Sequence, residues 1–252
     1  MAGAGNSAEM SFWEHLDVLR GAVIRILIAL VVLSCLGLAF KEPLFSVVLA
    51  PADKDFFVYR LAGIDFGMKL INVDISAQFF AHLKASVIAG LILAFPYIVW
   101  EIWKFIVPAL YEAEKKAVRR TFLLSSGLFY LGAAVGYFVV LPFCLQFFMG
   151  YSVSPDIANT ATLQSYMSMF GSLVLLMGIA FEFPSVILLL SMLGVVDRPM
   201  LARGRKYAFI ALLIVAAFIT PTGDPLSMLL LTAPLYLLYE LSIALCSSRR
   251  NP

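Results

Sequence analysis

Long apolar runs separated by short charged segments dominate the chain. The six runs lie at positions 19–40, 78–105, 121–148, 163–193, 207–219 and 226–245. A membrane-spanning helix needs about 20 apolar residues, so the pattern predicts an all-α polytopic membrane protein with six transmembrane helices. The fifth and sixth helices are predicted to be short, and Pro184 is predicted to kink the fourth.

The segments between the runs complete a single membrane domain. They are a cytoplasmic head at 1–18, periplasmic segments at 41–77, 149–162 and 220–225, cytoplasmic loops at 106–120 and 194–206, and a cytoplasmic tail at 246–252. The long first loop is predicted to form an external cap with short helices or strands. A re-entrant hairpin built from the last two runs is the alternative to two full crossings.

Basic residues are concentrated in alternate loops, which sets the predicted orientation. Loops 106–120 and 194–206 each carry four Lys or Arg residues, whereas segments 149–162 and 220–225 carry none. Short loops rich in Lys and Arg stay in the cytoplasm. Both termini are therefore predicted to be cytoplasmic.

Composition excludes several classes of protein. Hydrophobic residues make up 62% of the chain and charged residues 13%, against about 45–50% and 25% in a soluble domain. The net charge of +2 gives no reason to expect nucleic acid. Nor does the sequence contain a glycine-rich phosphate loop, a metal-ligand cluster or a nucleophile–base spacing, so we expect no enzyme activity, cofactor or metal.

Acidic residues occur on the side that is predicted to be positive. Glu14 and Asp17 precede the first run, and Glu112 and Glu114 follow the second. One interpretation is a solvated loop in which Glu112 and Glu114 form weak ion pairs with Lys115, Lys116 or Arg119, each contributing about 0.2–0.5 kcal/mol. The other is an acidic site for a basic partner, in which arginine suits a carboxylate because its guanidinium donates two N–H groups.

Glu182 lies within the fourth run, where an ionised carboxylate costs about 2.5–3.5 kcal/mol. The structural interpretation is a neutral carboxyl group that is hydrogen-bonded to a neighbouring helix near Pro184. The functional one is a carboxyl group in a lateral groove that accepts a polar group from a partner helix. A proton-coupled secondary transporter using Glu182 is the alternative function, although the inverted repeats common in such transporters are not evident. A purely structural scaffold is a third possibility.

Several motifs, in order, resemble the TatC family of the twin-arginine protein translocase along nearly the whole chain. They are SFWEHLDVLR at 11–20, LAP at 49–51, FPYIVWEIWKFIVPALYEAEK at 95–115, GYFVVLPF at 136–143, GIAFEFP at 178–184 and TPTGDP at 220–225. The resemblance implies six spans with both termini in the cytoplasm.

The resemblance also implies a function and its residues. In this family the cytoplasmic face recognises twin-arginine signal peptides of folded cargo, with Glu114 as a principal contact and Phe105 near the same site. The family pattern HLxELR has an acid where this chain has Val18. Glu14 is the better-placed substitute on a helix, and Asp17 is the other candidate.

The remaining implications concern partners and location. The resemblance assigns Glu182 to small single-span partners, the TatB and TatA types, within an oligomeric complex in the bacterial inner membrane that is driven by the proton gradient. Membrane lipid is a further partner. Pro51 is expected to shape its loop, Asp224 to cap the last helix, and both gain a functional role only through the resemblance.

Overall fold

Helices account for nearly all of the described chain. The computed structural model describes residues 12–106, 115–154, 156, 159–192, 194–220 and 223–246. Its helices are α1 Phe12–Ala39, α2 Lys41–Leu49, α3 Phe57–Ala62, α4 Ala77–Ile106, α5 Lys115–Val135, α6 Leu141–Gly150, α7 Leu163–Ala180, α8 Phe183–Met192, α9 Arg198–Arg203, α10 Arg205–Ile219 and α11 Pro225–Leu245. A π-helical segment, Gly136–Val140, joins α5 to α6.

Five helical segments in the described part of the chain are long and apolar enough to cross a membrane. They are Leu16–Ala39, Ala77–Phe105, Leu123–Gly150, Leu163–Ser191 and Pro225–Leu245. The predicted fifth span corresponds to α10, whose 15 residues extend for about 22 Å at 1.5 Å per residue. The expectation of a short sixth helix is wrong, because α11 has 21 residues.

Apolar side chains cover the outside of these segments as well as the core. On α1, Leu27, Ile28, Val31 and Val32 are each more than half exposed. A soluble protein rarely exposes so continuous an apolar surface. The outward faces are therefore suited to lipid, and the polar backbone groups are satisfied within helices, as hydrocarbon requires.

Helices α1 and α4 pack closely and antiparallel along small side chains. A Cβ atom added to Gly90 would lie 2.5 Å from Ser34 Oγ, and one added to Gly37 would lie 3.0 Å from Ser86 Cα. Near the other end of the pair, Arg25 contacts Glu101. Because α1 and α4 are antiparallel, the start of α1 lies beside the end of α4.

The core lies where α4, α5, α7, α10 and α11 meet. Its members include the fully buried Met177, Ala216 and Leu231. Helices α5 and α7 approach so closely that a Cβ atom on Gly132 would lie 2.6 Å from the carbonyl oxygen of Met177. Glycine is required there because no side-chain volume remains.

Pro96 lies inside α4 without breaking the helix. Proline has no N–H, so the carbonyl of residue 92 loses its usual helical partner. The Tyr130 hydroxyl of α5 donates a hydrogen bond to the Ile92 carbonyl oxygen at 3.1 Å. The defect in one helix is thereby compensated by its neighbour.

The predicted kink in the fourth span is present as a break. Helix α7 ends at Ala180, residues 181–182 form a turn, and α8 begins at Phe183. Pro184 occupies the first turn of α8, where its missing N–H has no helical partner to lose. The break places Glu182 between two half-helices, where its backbone N–H donates to the Ile179 carbonyl oxygen at 3.0 Å.

The loop after α1 forms a cap of short elements, as predicted. It contains α2, a 3₁₀ turn at Ala50–Ala52, α3 and the strand β1, Leu70–Ile71. Strand β1 pairs in parallel with β2, Ala161–Thr162, which joins this loop to the segment before α7.

Two tyrosine hydroxyls fasten the cap to the helices beneath it, and a third makes a hydrogen bond within the cap. Tyr137 donates to the Val47 carbonyl oxygen at 2.7 Å and Tyr166 to that of Val48 at 2.6 Å. Tyr59 donates to the Pro51 carbonyl oxygen at 2.8 Å, and burial raises the pKa of its phenol.

Replacement of Gly132 by alanine tests the close approach of α5 and α7. The added methyl group would force the helices apart, and overpacking of this kind costs about 1–3 kcal/mol. Thermal unfolding of purified Gly132→Ala protein should begin at a lower temperature than that of the wild type. The control is Gly127→Ala on the same helix, where a Cβ atom meets nothing within 4 Å. Equal stability of the two variants would contradict the packing.

Candidate functional site

The start of α1 and the end of α4 form one edge of the bundle. Arg25 lies 13 residues after the start of α1 and opposite Glu101, which lies five residues before the end of α4. Asp17, eight residues before Arg25, lies about 12 Å further along the axis. It is therefore level with or beyond the last turn of α4, which contains Phe105.

Asp17 and Phe105 are the predicted peptide-contact residues whose side chains the structure describes. Asp17 is exposed and Phe105 is half-buried. Glu14 lies in the first turn of α1, but the structure does not describe its side chain. Glu114 lies outside the described residues. The geometry thus brings the start of α1 and the end of α4 to one edge, which we call the α1–α4 rim, residues 16–20 and 102–105.

A buried carboxylate and two basic side chains lie directly inside this rim. Arg25 donates to Glu101 Oε2 from Nη2 at 2.7 Å and from Nε at 3.1 Å. Lys104 Nζ lies 3.2 Å from Glu101 Oε1. The Glu101 side chain is 1% exposed, so its charge is held by these two cations and not by water. Glu101 and Lys104 are three residues apart on α4, a spacing that brings side chains together on one face of a helix.

Glu182 forms a second polar site, on different helices. The Ser125 hydroxyl of α5 donates a hydrogen bond to Glu182 Oε2. Glu182 Oε1 and the Ser185 hydroxyl are buried, with no hydrogen-bond partner among the described residues. A carboxyl group in this environment has a hydrogen-bond donor on one oxygen and a free acceptor on the other.

A lateral cavity of about 370 Å³ opens beside Glu182. Its walls come from α7, α8, α10 and α11 and are almost wholly apolar, including Ile179, Val186, Leu212 and Val215. Ile179, Val186 and Val215 are also exposed on the outer surface. The arrangement can accept an apolar helix that carries one polar side chain.

The other predicted residues have structural roles in these contacts. Asp224 caps α11 by accepting a hydrogen bond from the Ser227 backbone N–H at 2.8 Å. Pro51 is buried in the cap, where its carbonyl oxygen accepts a hydrogen bond from the Tyr59 hydroxyl. Arg205 donates two hydrogen bonds, of 2.8 and 2.9 Å, to the Glu240 carboxylate, and this pair joins α10 to α11.

Sequence reasoning missed the Arg25–Glu101 pair and the Ser125 donor. The signal for the ion pair was available, because one basic and one acidic residue lie at similar depths inside consecutive apolar runs that must be antiparallel. Ser125 gave no comparable signal. Serine is common in membrane helices, and only the rotation of α5 decides that this hydroxyl faces Glu182.

These features define a polytopic α-helical membrane protein with one charged rim and one carboxyl group beside a lateral cavity. Residues 14–234 match the family model described as "Sec-independent protein translocase protein (TatC)". This match covers most of the chain, which therefore belongs to the TatC family of protein translocase components.

Individual relatives agree with this assignment. The chain is 36% identical to the Sec-independent protein translocase protein TatC of a Blattabacterium strain, over 93% of this chain and 94% of that protein. It is also 36% identical to that of Desulforapulum autotrophicum, over 92% and 82% of the respective chains.

A solved structure shares the fold. A crystal structure described as "Twin Arginine Translocase Receptor- TatC in DDM" superposes with a TM-score of 0.79 at 35% identity. The match covers 93% of this chain and 100% of that one. The predicted family is confirmed, and the relatives are named for protein transport.

Adjacent serines allow a matched test of the Glu182 hydrogen bond. Ser125→Ala removes the donor and leaves a buried acceptor unsatisfied, which costs about 1–3 kcal/mol. We expect a lower unfolding temperature for the purified variant. Ser126→Ala, by contrast, removes a buried hydroxyl that has no partner among the described residues, so its stability should be unchanged or higher. The reverse order of the two variants would show that Ser125 does not support Glu182.

Proposed function

We propose that this protein is the core receptor subunit of a twin-arginine translocase. It binds twin-arginine signal peptides at the α1–α4 rim and scaffolds TatA- and TatB-type partners, and the complex exports folded proteins at the expense of the proton-motive force. The observation that carries the proposal is the antiparallel packing of α1 and α4, which brings Asp17 near the end of α4 that contains Phe105. Family membership supports it independently.

The proposed topology has six spans with both termini in the cytoplasm of a bacterial inner membrane. In it, α10 is the fifth crossing, although it is shorter than the hydrocarbon thickness of about 30 Å. Local thinning of the bilayer would accommodate the mismatch. Two groups of basic residues, around α9 and after α4, support the cytoplasmic assignment of the rim.

The chemistry of the rim favours arginine as the ligand. Exposed ion pairs contribute only about 0.2–1 kcal/mol, so useful affinity requires partial removal of water. At interfaces, close charge pairs reach about 1.5–7 kcal/mol. The membrane boundary beside Phe105 supplies an apolar wall that excludes water on one side. Carboxylates from Glu114 and from Glu14 or Asp17 would then each hold one guanidinium.

A binding measurement tests this assignment. Glu114→Gln should weaken binding of a twin-arginine peptide by about tenfold to a hundredfold, because a partly desolvated guanidinium loses its partner. Glu14→Gln and Asp17→Asn should each weaken it by up to about fivefold, as for a more exposed pair. Fluorescence anisotropy with the detergent-purified protein gives the dissociation constants.

Two controls accompany the peptide measurement. Asp65→Asn changes an exposed acid in the external cap and should leave the affinity unchanged. A twin-lysine peptide should bind more weakly than the twin-arginine peptide, because an ammonium group cannot form the planar two-donor contact. Unimpaired binding by all three variants, at Glu114, Glu14 and Asp17, would reject the proposal.

Glu182 is proposed as the contact for a single-span partner. The apolar cavity beside it and the free acceptor on its carboxyl group suit a helix with one polar side chain. Interhelical hydrogen bonds in membranes contribute about 0.6–1.7 kcal/mol, enough to select one docking face. Small partners of the TatA and TatB types are single helices of this kind.

Two substitutions at Glu182 separate hydrogen bonding from charge. Glu182→Leu should reduce co-purification of the partners by about threefold to twentyfold, because it removes the polar contact. Glu182→Gln should retain most of it, since the amide still accepts a hydrogen bond. The control is Glu42→Leu in the exposed cap. Loss of export in Glu182→Gln with normal export in Glu182→Leu would contradict the account.

A further inference from the structure

A surplus positive charge lies on the outward surface where α1 meets α4. Glu101 alone could be neutralised by one cation, yet both Arg25 and Lys104 contact it. The carboxylate is buried, whereas the Arg25 and Lys104 side chains are 49% and 52% exposed. The group formed by Arg25, Glu101 and Lys104, which we call the cationic triad, therefore presents a net charge of +1 to its surroundings.

The triad also has hydrogen-bond donors to spare. Glu101 uses two of the five N–H groups of the guanidinium and one of the three of the ammonium group. The remaining donors belong to the exposed parts of both side chains. They are suited to an oxygen-rich anion that approaches from outside the helix pair.

The surroundings of the triad are those of a lipid headgroup region. Lys104 Nζ lies 5.3 Å from the centre of the Trp100 ring, and Tyr97 lies beside Arg25. Both rings are exposed, Trp100 by 48% and Tyr97 by 38%. Exposed Trp and Tyr residues collect at the membrane–water boundary.

The adjacent surface is apolar. On α1, next to Arg25, Ile24 and Ile28 are 46% and 58% exposed. A soluble anion would find no favourable contact with this surface, whereas acyl chains would cover it. Basic pockets between transmembrane helices bind the headgroups of anionic lipids by this combination of charge and apolar contact.

We propose that the cationic triad is a binding site for the phosphate of an anionic phospholipid. Arg25 and Lys104 hold the phosphate, Trp100 and Tyr97 border the headgroup, and the acyl chains lie along α1. A zwitterionic lipid carries no net charge to match the triad, so the site prefers a lipid with one net negative charge. The proposal rests on the membrane placement of α1 and α4 and not on the proposed receptor function.

Trp100 provides a direct optical probe of the lipid at this site. The chain has three tryptophans, so Trp13→Phe with Trp103→Phe leaves Trp100 as the sole emitter. Brominated phospholipids quench tryptophan on contact. The full-length protein is reconstituted in vesicles of phosphatidylcholine and phosphatidylglycerol, and either lipid is brominated in turn at the same mole fraction.

The proposal predicts stronger quenching by brominated phosphatidylglycerol than by brominated phosphatidylcholine. One basic side chain near an anionic surface contributes a factor of about five, so Lys104→Gln should reduce the preference about fivefold. Lys84→Gln changes an exposed lysine elsewhere on α4 and should not alter it. Equal quenching by the two lipids in the protein that carries only the two tryptophan substitutions would overturn the proposal.

Glu101→Gln distinguishes lipid binding from a purely structural ion cluster. The amide keeps the shape of the carboxylate and removes its charge, so the triad becomes doubly positive and the preference should rise about fivefold. A structural cluster predicts an unchanged or lower preference in the same variant, which would contradict the proposal. Thermal unfolding of each variant, measured alongside, excludes variants that have lost the fold.

Inorganic phosphate distinguishes a lipid from a soluble anion. Phosphate added at 10-fold excess over the brominated lipid should leave the preference intact if the acyl chains contribute to binding. Loss of the preference would assign the triad to a soluble phosphate compound and overturn the lipid proposal. Because no signal peptide or partner is present, failure of this experiment leaves the receptor proposal untouched.

Discussion

The constraint on which this structure depends is that a charge held against hydrocarbon must have a partner. Arg25 and Glu101 satisfy it across the α1–α4 interface, where two N–H groups meet one buried carboxylate oxygen. Loss of Arg25 would leave the Glu101 carboxylate, which is 1% exposed, with Lys104 as its remaining cation. The pair therefore fixes the register of α1 on α4, and with it the position of the rim.

The same constraint explains the second site. Glu182 lies in the turn between α7 and α8, and Ser125 from α5 donates one hydrogen bond to its side chain. Close packing around Gly132 keeps α5 in the position from which Ser125 can reach. The Glu182 carboxyl group and an apolar cavity therefore lie side by side on the outer surface. One further helix with a single polar side chain could pack there.

Much of this arrangement could be predicted from the sequence. Run lengths predicted the long helices, Pro184 predicted a kink where the structure has a break, and the position of Asp224 directly before the last run predicted the cap of α11. Helix rotation could not be predicted, because long apolar runs carry little amphipathic signal when lipid replaces water. For that reason Ser125 and Tyr130 gained their roles only from the structure, as did the pairing of Glu240 with Arg205.

The most direct test of the central claim is site-specific photocrosslinking of a twin-arginine signal peptide in membrane vesicles. A photoreactive residue is placed at position 17, at position 105, or at position 57 in the external cap. The account predicts peptide adducts from positions 17 and 105, both weaker with a twin-lysine peptide, and none from position 57. Adducts from position 57, or none from either rim position, would contradict it.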